Sequence, residues 1–386
     1  MIGLIPNLAR KRANGVTRSC HVLQKHCYIL LNYINNTIYN ITSFKAFIPT
    51  AGGARKSFAK RKTESGVALI TAVLVVALAT IAATAMLVSI NVAIHRTTTL
   101  QDSEKAWWYA EGVESWVRSI LQRDQENNQT DSFADIWAKP VDYLPTDEGF
   151  IRGHIEDLQG RFNLNNFGVQ DKVRYQRYVT QFERLLENIK DADPSLAKPL
   201  ADAIHDWIDA DSEPFGINGA EDTEYLTYSP PYRTANRPLV SVTEVLAIKG
   251  MNKKLFELLT HCSTGPAGPV SCITALPEFP TAININTAPE PVLDSLVQQP
   301  NAALQAFVET RVKTPAGNAQ VAFQPPPNGF ITAADGTTQD MITVSSHYFL
   351  LDAQAFIGSG RVALYSFFLR PAKGVPVLLG RSTGIE

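Results

Sequence analysis

Cysteine is scarce in this chain of 386 residues, with four in all, at Cys20, Cys27, Cys262 and Cys272. No Cys-x-x-Cys occurs and His261 is the one histidine near the second pair, so a zinc site is not expected. Acid is almost missing from residues 1–66, which hold eleven Lys or Arg and the single acid Glu64. Charge of either sign is missing from Val67 to Ile94, and proline from Val67 to Ile136. There is no Gly-x-Ser-x-Gly and no phosphate loop, and Ser345-Ser346-His347 has no partner motif, so no enzymatic constellation is found. Scattered Asp and His read as caps and surface.

Acid returns after the uncharged run. The overall formal charge of −2 hides 24 basic and 36 acidic residues from Val67 onward, a net of −12. Phosphate is repelled by such a body, which argues against nucleic-acid binding. Val245-Leu246-Ala247-Ile248-Lys249-Gly250-Met251 and its flanks look like a helix-hairpin-helix, but the hairpin lacks a second glycine and reads as fold only.

Uncharged residues 67–94 form about 42 Å of helix, more than the roughly 30 Å of hydrocarbon in a bilayer. Arg55, Lys56, Lys60, Arg61 and Lys62 stand just before them, so the positive-inside rule puts that end in the cytoplasm and the rest of the chain outside. The run is too long for a cleaved secretory signal and lacks its small-x-small exit. Residues 1–54 show no sustained period; they read as an over-extended start-site assignment or a dispensable leader. If the body lies in an oxidising compartment, Cys262 and Cys272, ten apart around Gly-Pro-Ala-Gly-Pro, are either a disulfide or two buried thiols.

The helical period continues past Arg96. Leu100, Trp107, Ala110, Val113, Val117 and Ile120 make an apolar stripe, predicting one helix of about fifty-five residues, with Trp107 and Trp108 read as core of its soluble half and membrane-interface anchors as the competing reading. Alternation over Gly149–Asn166, broken at Asp157-Leu158-Gln159-Gly160, predicts a β-hairpin. Helices are expected over Lys172–His205, after the capping box Ser241/Glu244, after Gly250-Asn252, and from Asn286-Thr287 with Pro289 in the first turn. Tyr348–Phe356, Arg361–Leu369 and Val375–Leu379 read as strands, the first two joined at Gly358-Ser359-Gly360. The order predicts an α+β domain interrupted by an all-helical insertion near 166–282.

The loop after His205 is unusual. Asp209, Asp211, Glu213, Glu221, Asp222 and Glu224 put six carboxylates in sixteen residues, with Gly216 and Gly219 between them. Hard cations take six to eight oxygen ligands, and a glycine-containing loop can wrap one; the EF-hand spacing is absent. A solvated acidic loop, with Asp206 capping a turn, is the competing reading.

Basic residues, Gly66 and then Val67-Ala68-Leu69-Ile70-Thr71 resemble the class III signal of type IV pilins and type II secretion pseudopilins. Gly160-Arg161-Phe162-Asn163-Leu164-Asn165-Asn166, Asp206-Trp207-Ile208-Asp209-Ala210-Asp211, Gly219-Ala220-Glu221-Asp222, Pro231–Pro238 and Asn284-Ile285-Asn286-Thr287-Ala288-Pro289 are similar to the general secretion pathway protein K family of minor pseudopilins. The resemblance covers Gly66 to nearly the end. It implies a pseudopilin fold, a long N-terminal helix packed on an antiparallel sheet, with an inserted all-helical domain. The implied layout is a basic leader and prepilin signal at 1–66, a transmembrane helix at 67–94, a periplasmic pseudopilin domain at 95–165 and 283–386, and the helical domain at 166–282. A prepilin peptidase would cut after Gly66 and leave Val67 as a new amino terminus in a methylated inner-membrane protein. Most pseudopilins carry glutamate at the fifth mature position, taken to pair with the amino terminus of the preceding subunit; here it is Thr71, which suits a subunit with nothing above it. The implied role is structural and non-catalytic: the tip of the pseudopilus, formed with I- and J-type minor pseudopilins, for export of folded proteins across the outer membrane. Calcium is the cation this family implies for the acidic loop. The competing function is an unprocessed single-pass membrane protein with a metal- or ligand-binding exterior domain.

Overall fold

The computed structural model describes residues 65–265, 268–297, 302–313 and 341–384. The leader at 1–54 and the basic residues Arg55 to Lys62 lie outside the described residues. The chain divides into two compact units, residues 1–79 and 80–386. In the first, every described residue belongs to one helix, α1 (Ser65–Asn127), and residues 68–79 are all exposed. This helix has 63 residues rather than about fifty-five. No proline removes a backbone donor along it, and it stops only where Asn127 and Asn128 turn back on it, Asn127 Nδ2 to the Arg123 carbonyl at 2.7 Å and Asn128 N to the Asp124 carbonyl at 2.7 Å.

The second unit carries a five-stranded antiparallel sheet in the spatial order β1 (Val141–Thr146), β2 (Gly149–Asp157), β3 (Tyr348–Ile357), β4 (Gly360–Leu369) and β5 (Val377–Thr383). Strand order follows chain order, but β2 meets β3 across nearly two hundred residues, in register from Gly149↔Ile357 to Asp157↔Phe349. Because side chains alternate along a strand, Phe349, Leu351, Ala353, Ala355 and Ile357 share one face. There they pack with Ala106, Ala110, Val117 and Leu121 of α1 and with Trp137. Full burial of one such aliphatic or aromatic side chain is worth about 1.5–3 kcal/mol, so this seam holds helix and sheet together.

Neighbours on a helix point about 100° apart, so Trp107 and Trp108 cannot share that face. Trp107 is half-buried beneath the Arg381 guanidinium, 5.5 Å from the ring centroid, whereas Trp108 is 68% exposed, correcting the expectation for it. Leu100 also lies on the exposed side. The β3–β4 turn is pinned to the helix through Asp102, whose Oδ2 accepts Ser359 N and Ser359 Oγ, each at 2.9 Å. Gly358 adopts φ +54° there, a conformation a side chain resists.

The hairpin expected over Gly149–Asn166 forms differently. β2 pairs with β1, not with the following residues, and Asp157-Leu158-Gln159-Gly160 leads through a 3₁₀ turn into Phe162–Asn163, which pairs in parallel with Ile273–Thr274. Alternation identifies strand residues but not their partners.

A second core is built from α2 (Lys172–Glu187), α3 (Ala197–Ile208), α4 (Lys253–Thr260) and the turns between them. It runs from Phe162 through Leu304 and takes in Met341, so its packing draws on residues outside 166–282. It is not wholly helical: Ser263–Gly265 and Gly268–Val270 form a small hairpin, and a disulfide joins Cys262 to Cys272 around it with Cα atoms 5.8 Å apart. Ser241 and Glu244 make the expected capping box, on a 3₁₀ helix (Val242–Ala247), and Asn252 caps α4 by accepting Leu255 N at 2.9 Å. The helix expected at Asn286-Thr287 starts instead at Glu290, with Pro289 as N-cap, because Thr287 Oγ1 is drawn to the buried Asp157 at 2.6 Å.

Candidate functional site

Three buried asparagines explain why Phe162-Asn163-Leu164-Asn165-Asn166 is built as it is. An amide side chain offers a donor and an acceptor, so it can stand in for a missing strand partner. Asn165 Oδ1 accepts Leu239 N at 2.8 Å, while Nδ2 donates to the carbonyls of Leu239 at 2.9 Å and Leu276 at 2.8 Å. Asn163 accepts Leu276 N and donates to Thr281 Oγ1, and Asn166 accepts Thr281 N and donates to the Thr281 carbonyl. These bonds hold the Pro238–Leu239 and Leu276–Thr281 segments against α2 and α3.

That loop leaves the end of α3. Asp206 is fully buried, and its Oδ1 accepts Phe215 N at 2.9 Å, closing nine residues into a compact turn rather than merely capping the helix. Gly219 is required for the closure, because a Cβ there would overlap Asp206 Oδ2 and lie 2.5 Å from the backbone nitrogen of Phe215. The turn brings Asp209, Asp211 and Glu221 together, one oxygen from each lying within 4.8 Å of the others. Two of these groups carry a buried oxygen with no hydrogen-bond partner among the described residues, Asp209 Oδ1 and Glu221 Oε1. Buried acceptors are normally satisfied, and two orphan carboxylate oxygens in one such group are what a hard cation would complete. Burial, then the charge of Asp211, pushes the Asp209 carboxyl up to about 6. Burial, then Asp206 and Asp209, pushes Glu221 up to about 7. Among the described residues the group is made of carboxylate oxygens, with His205 Nε2 at 3.6 Å from Asp209 Oδ2, so the donor set fits calcium better than a softer metal.

The other three carboxylates singled out by sequence lie apart from this group. Glu213 is exposed, and its N–H donates to Asp211 Oδ1 at 2.8 Å. Asp222 accepts Thr234 N at 3.0 Å and pairs with Arg233. Glu224 pairs with Lys249 at 3.4 Å and accepts the Tyr228 hydroxyl at 3.3 Å. Asp206, expected to cap a turn, and Gly219, expected to let the loop wrap, together make the closure, a pairing that spacing along the segments Asp206–Asp211 and Gly219–Asp222 does not show.

At the other end of the chain, Gly66 and Val67 lie in the first turn of α1. Thr71 is exposed on the helix, its hydroxyl donating to the Ala68 carbonyl at 3.0 Å. A hydroxyl satisfied by its own helix needs no partner in lipid, whereas a carboxylate at the same place would. The window of α1 beginning at Ala68 is long and apolar enough to cross a membrane, with mean hydropathy 2.5.

Known proteins with the same arrangement are found by sequence and by structure. Residues 160–264 match the family described as "Type II secretion system (T2SS), protein K". Type II secretion system protein K of Pseudomonas aeruginosa is 31% identical over 332 residues, covering 84% of this chain and 94% of that protein. Its counterpart from Aeromonas hydrophila is 30% identical over 339 residues, covering 84% and 98%. A chain from the crystal structure of the GspK-GspI-GspJ complex of enterotoxigenic Escherichia coli superposes with a TM-score of 0.61 at 26% identity, covering 75% of this chain and all of that one. With its long helix, antiparallel sheet and helical module, the chain belongs to the type II secretion system protein K family, the minor pseudopilins of that system.

Proposed function

We propose that this minor pseudopilin caps a pseudopilus, with α1 as its membrane anchor and assembly helix and its body in the periplasm. The observation that carries the reading is the start of α1: Gly66, then an uncharged helical run in which Thr71 keeps its hydroxyl on its own backbone. Cleavage after Gly66 by a prepilin peptidase would put the new amino group of Val67 at the lipid surface and leave the anchor intact. Without a carboxylate at Thr71 the helix offers no partner to an amino terminus in a subunit above it, which fits the top of the filament. I- and J-type minor pseudopilins are the partners we assign to it, since the similar solved chain comes from a complex of that composition. The inner membrane, with the amino terminus in the cytoplasm, follows from the basic residues before Gly66. The role is structural; binding and positioning do the work, not catalysis.

Calcium is the ion we assign to the acidic loop, held by Asp209, Asp211 and Glu221. It would neutralise carboxylates that burial otherwise disfavours and hold the loop closed on the helical module. The two orphan oxygens support this assignment.

Amino-terminal sequencing after co-expression with prepilin peptidase tests the processing step. Val67 as the first residue is expected, with Gly66→Ala blocking it; retention of Gly66 in the native chain would defeat the reading. Calorimetric titration with calcium, together with thermal melting, tests the loop: no heat and no rise in melting temperature would refute the metal assignment.

A further inference from the structure

Where α1 ends, a second group of carboxylates gathers that has no part in the acidic loop. Asp124 lies in the last turn of the helix, and the residues after it, Asn128 to Asp135, fold back beneath it. Asp135 Oδ2 accepts Ser132 N at 2.7 Å and its Oδ1 accepts Asn128 Nδ2 at 3.1 Å, which closes this segment into a tight turn. Asp131 anchors the turn to the sheet. Its N–H donates to the Val344 carbonyl at 2.8 Å, its Oδ2 accepts Ser346 N at 2.7 Å, and its carbonyl accepts Asn284 Nδ2 at 3.1 Å. One oxygen each of Asp124, Asp131 and Asp135 lies within 4.8 Å of the others.

Arg370, just past the end of β4, is the cation paired with this group among the described residues. It reaches Asp124 Oδ2 at 3.0 Å and Asp131 Oδ2, and stacks over Phe349 at 4.6 Å. Three carboxylates against one guanidinium leave a formal charge of −2, and Asp131 and Asp135 are buried. Arg370 takes the Oδ2 atoms of Asp124 and Asp131. Asp131 Oδ1 has no hydrogen-bond partner among the described residues, in a residue that is 1% exposed. A buried, unpartnered carboxylate oxygen in a group with two negative charges in excess calls for a positive charge on that side.

We propose that Asp124, Asp131 and Asp135 hold a hard divalent cation, which ties the end of α1 to the sheet at Ser346 and Arg370. The donors within reach among the described residues are the carboxylates together with the Ser132 hydroxyl, an oxygen set that suits calcium better than softer metals. Its charge equals the uncompensated charge of the group. It sits on the Oδ1 side of Asp131, away from the guanidinium. Asp157 borders the group through Ser346, whose hydroxyl donates to Asp157 Oδ2 at 2.6 Å, so the ion also screens a second buried anion.

The test is calcium alone, titrated calorimetrically into the full chain in detergent micelles, with circular dichroism of each variant as the check on folding. Asp124→Asn/Asp135→Asn keeps the hydrogen-bond acceptors and removes the charge. It should lower the calcium bound at saturation by one ion per chain, or weaken one class of site at least tenfold. The same pair added to Asp209→Asn/Asp211→Asn/Glu221→Gln should abolish the binding that this triple variant retains. Unchanged stoichiometry and affinity in Asp124→Asn/Asp135→Asn overturns the proposal and leaves the acidic loop standing. Calcium binding lost only through Asp124 and Asp135 supports it and removes the loop assignment; a native chain that binds no calcium refutes both. A single Asp124→Asn, at the least buried carboxylate of the group, gives the same reading if the double variant does not fold.

Discussion

Replacing Asn165 by alanine is the sharpest test of how this head is held together. The side chain is fully buried and makes three hydrogen bonds between 2.8 and 2.9 Å to the backbone of Leu239 and Leu276. Alanine leaves one N–H and two carbonyls unsatisfied inside the larger core. Each orphaned group costs about 1–3 kcal/mol, and carbonyls, with a second lone pair available, fall at the low end. A loss of about 3–6 kcal/mol follows, a large part of the roughly 5–15 kcal/mol by which domains are stable. For a body of this size that is a fall in melting temperature of about 6–24 °C. Asn165→Asp should be no better, since it keeps the acceptor for Leu239 N but turns two donated bonds into contacts between oxygens. Thermal and urea melts followed by tryptophan fluorescence measure the effect, with Asn127→Ala on the exposed end of α1 as the control. A loss under about 1 kcal/mol, indistinguishable from that control, would show that Asn165 does not carry these segments.

Other expectations are as direct. Gly219→Ala should open the turn, because its Cβ has no room beside Phe215 N, and calcium affinity for the acidic loop should drop at least tenfold; an unchanged titration would contradict the closure described. Breaking the Cys262–Cys272 link with a double serine variant should cost about 3 kcal/mol for so short a loop, read as a lower urea midpoint that matches the reduced native chain. Burial, then the charge of Glu290, pushes the Asp294 carboxyl up to about 6. A raised acid disfavours the folded form once the unfolded chain ionises, so stability should fall between about pH 4 and pH 6 and then level off. Asp294→Asn should match the native chain at the acid end and exceed it near neutrality; parallel stability curves would refute this.

Much of the architecture was legible because it is written in short-range periods. An uncharged run long enough for a bilayer, the stripe of Ala110, Val113 and Val117, and the strands around Gly358-Ser359-Gly360 all follow from local spacing. Partners at long range were not legible in the same way. β2 alternates as a strand whether it pairs with the residues after it or with β1 and β3, and only burial of Ile151 against α1 separates the cases. Trp107 and Trp108 show the same limit at one residue's resolution, since the stripe locates a face but neighbouring tryptophans must divide it.

The acidic loop draws the line most clearly. Sequence by itself determined that six carboxylates crowd sixteen residues, that glycines let the backbone turn there, and that a basic flank and a glycine precede an uncharged helix carrying Thr71. Those are properties of adjacent residues. Tertiary structure alone decided that Asp209, Asp211 and Glu221 converge while Glu213, Asp222 and Glu224 turn to solvent or to Arg233 and Lys249. It also brought Asp124 from the end of α1 against Arg370 from the end of β4. The distance between two side chains across a fold is set by which backbone groups must be buried and satisfied, and here by where Asp206, Asn165 and Asp131 find their hydrogen bonds.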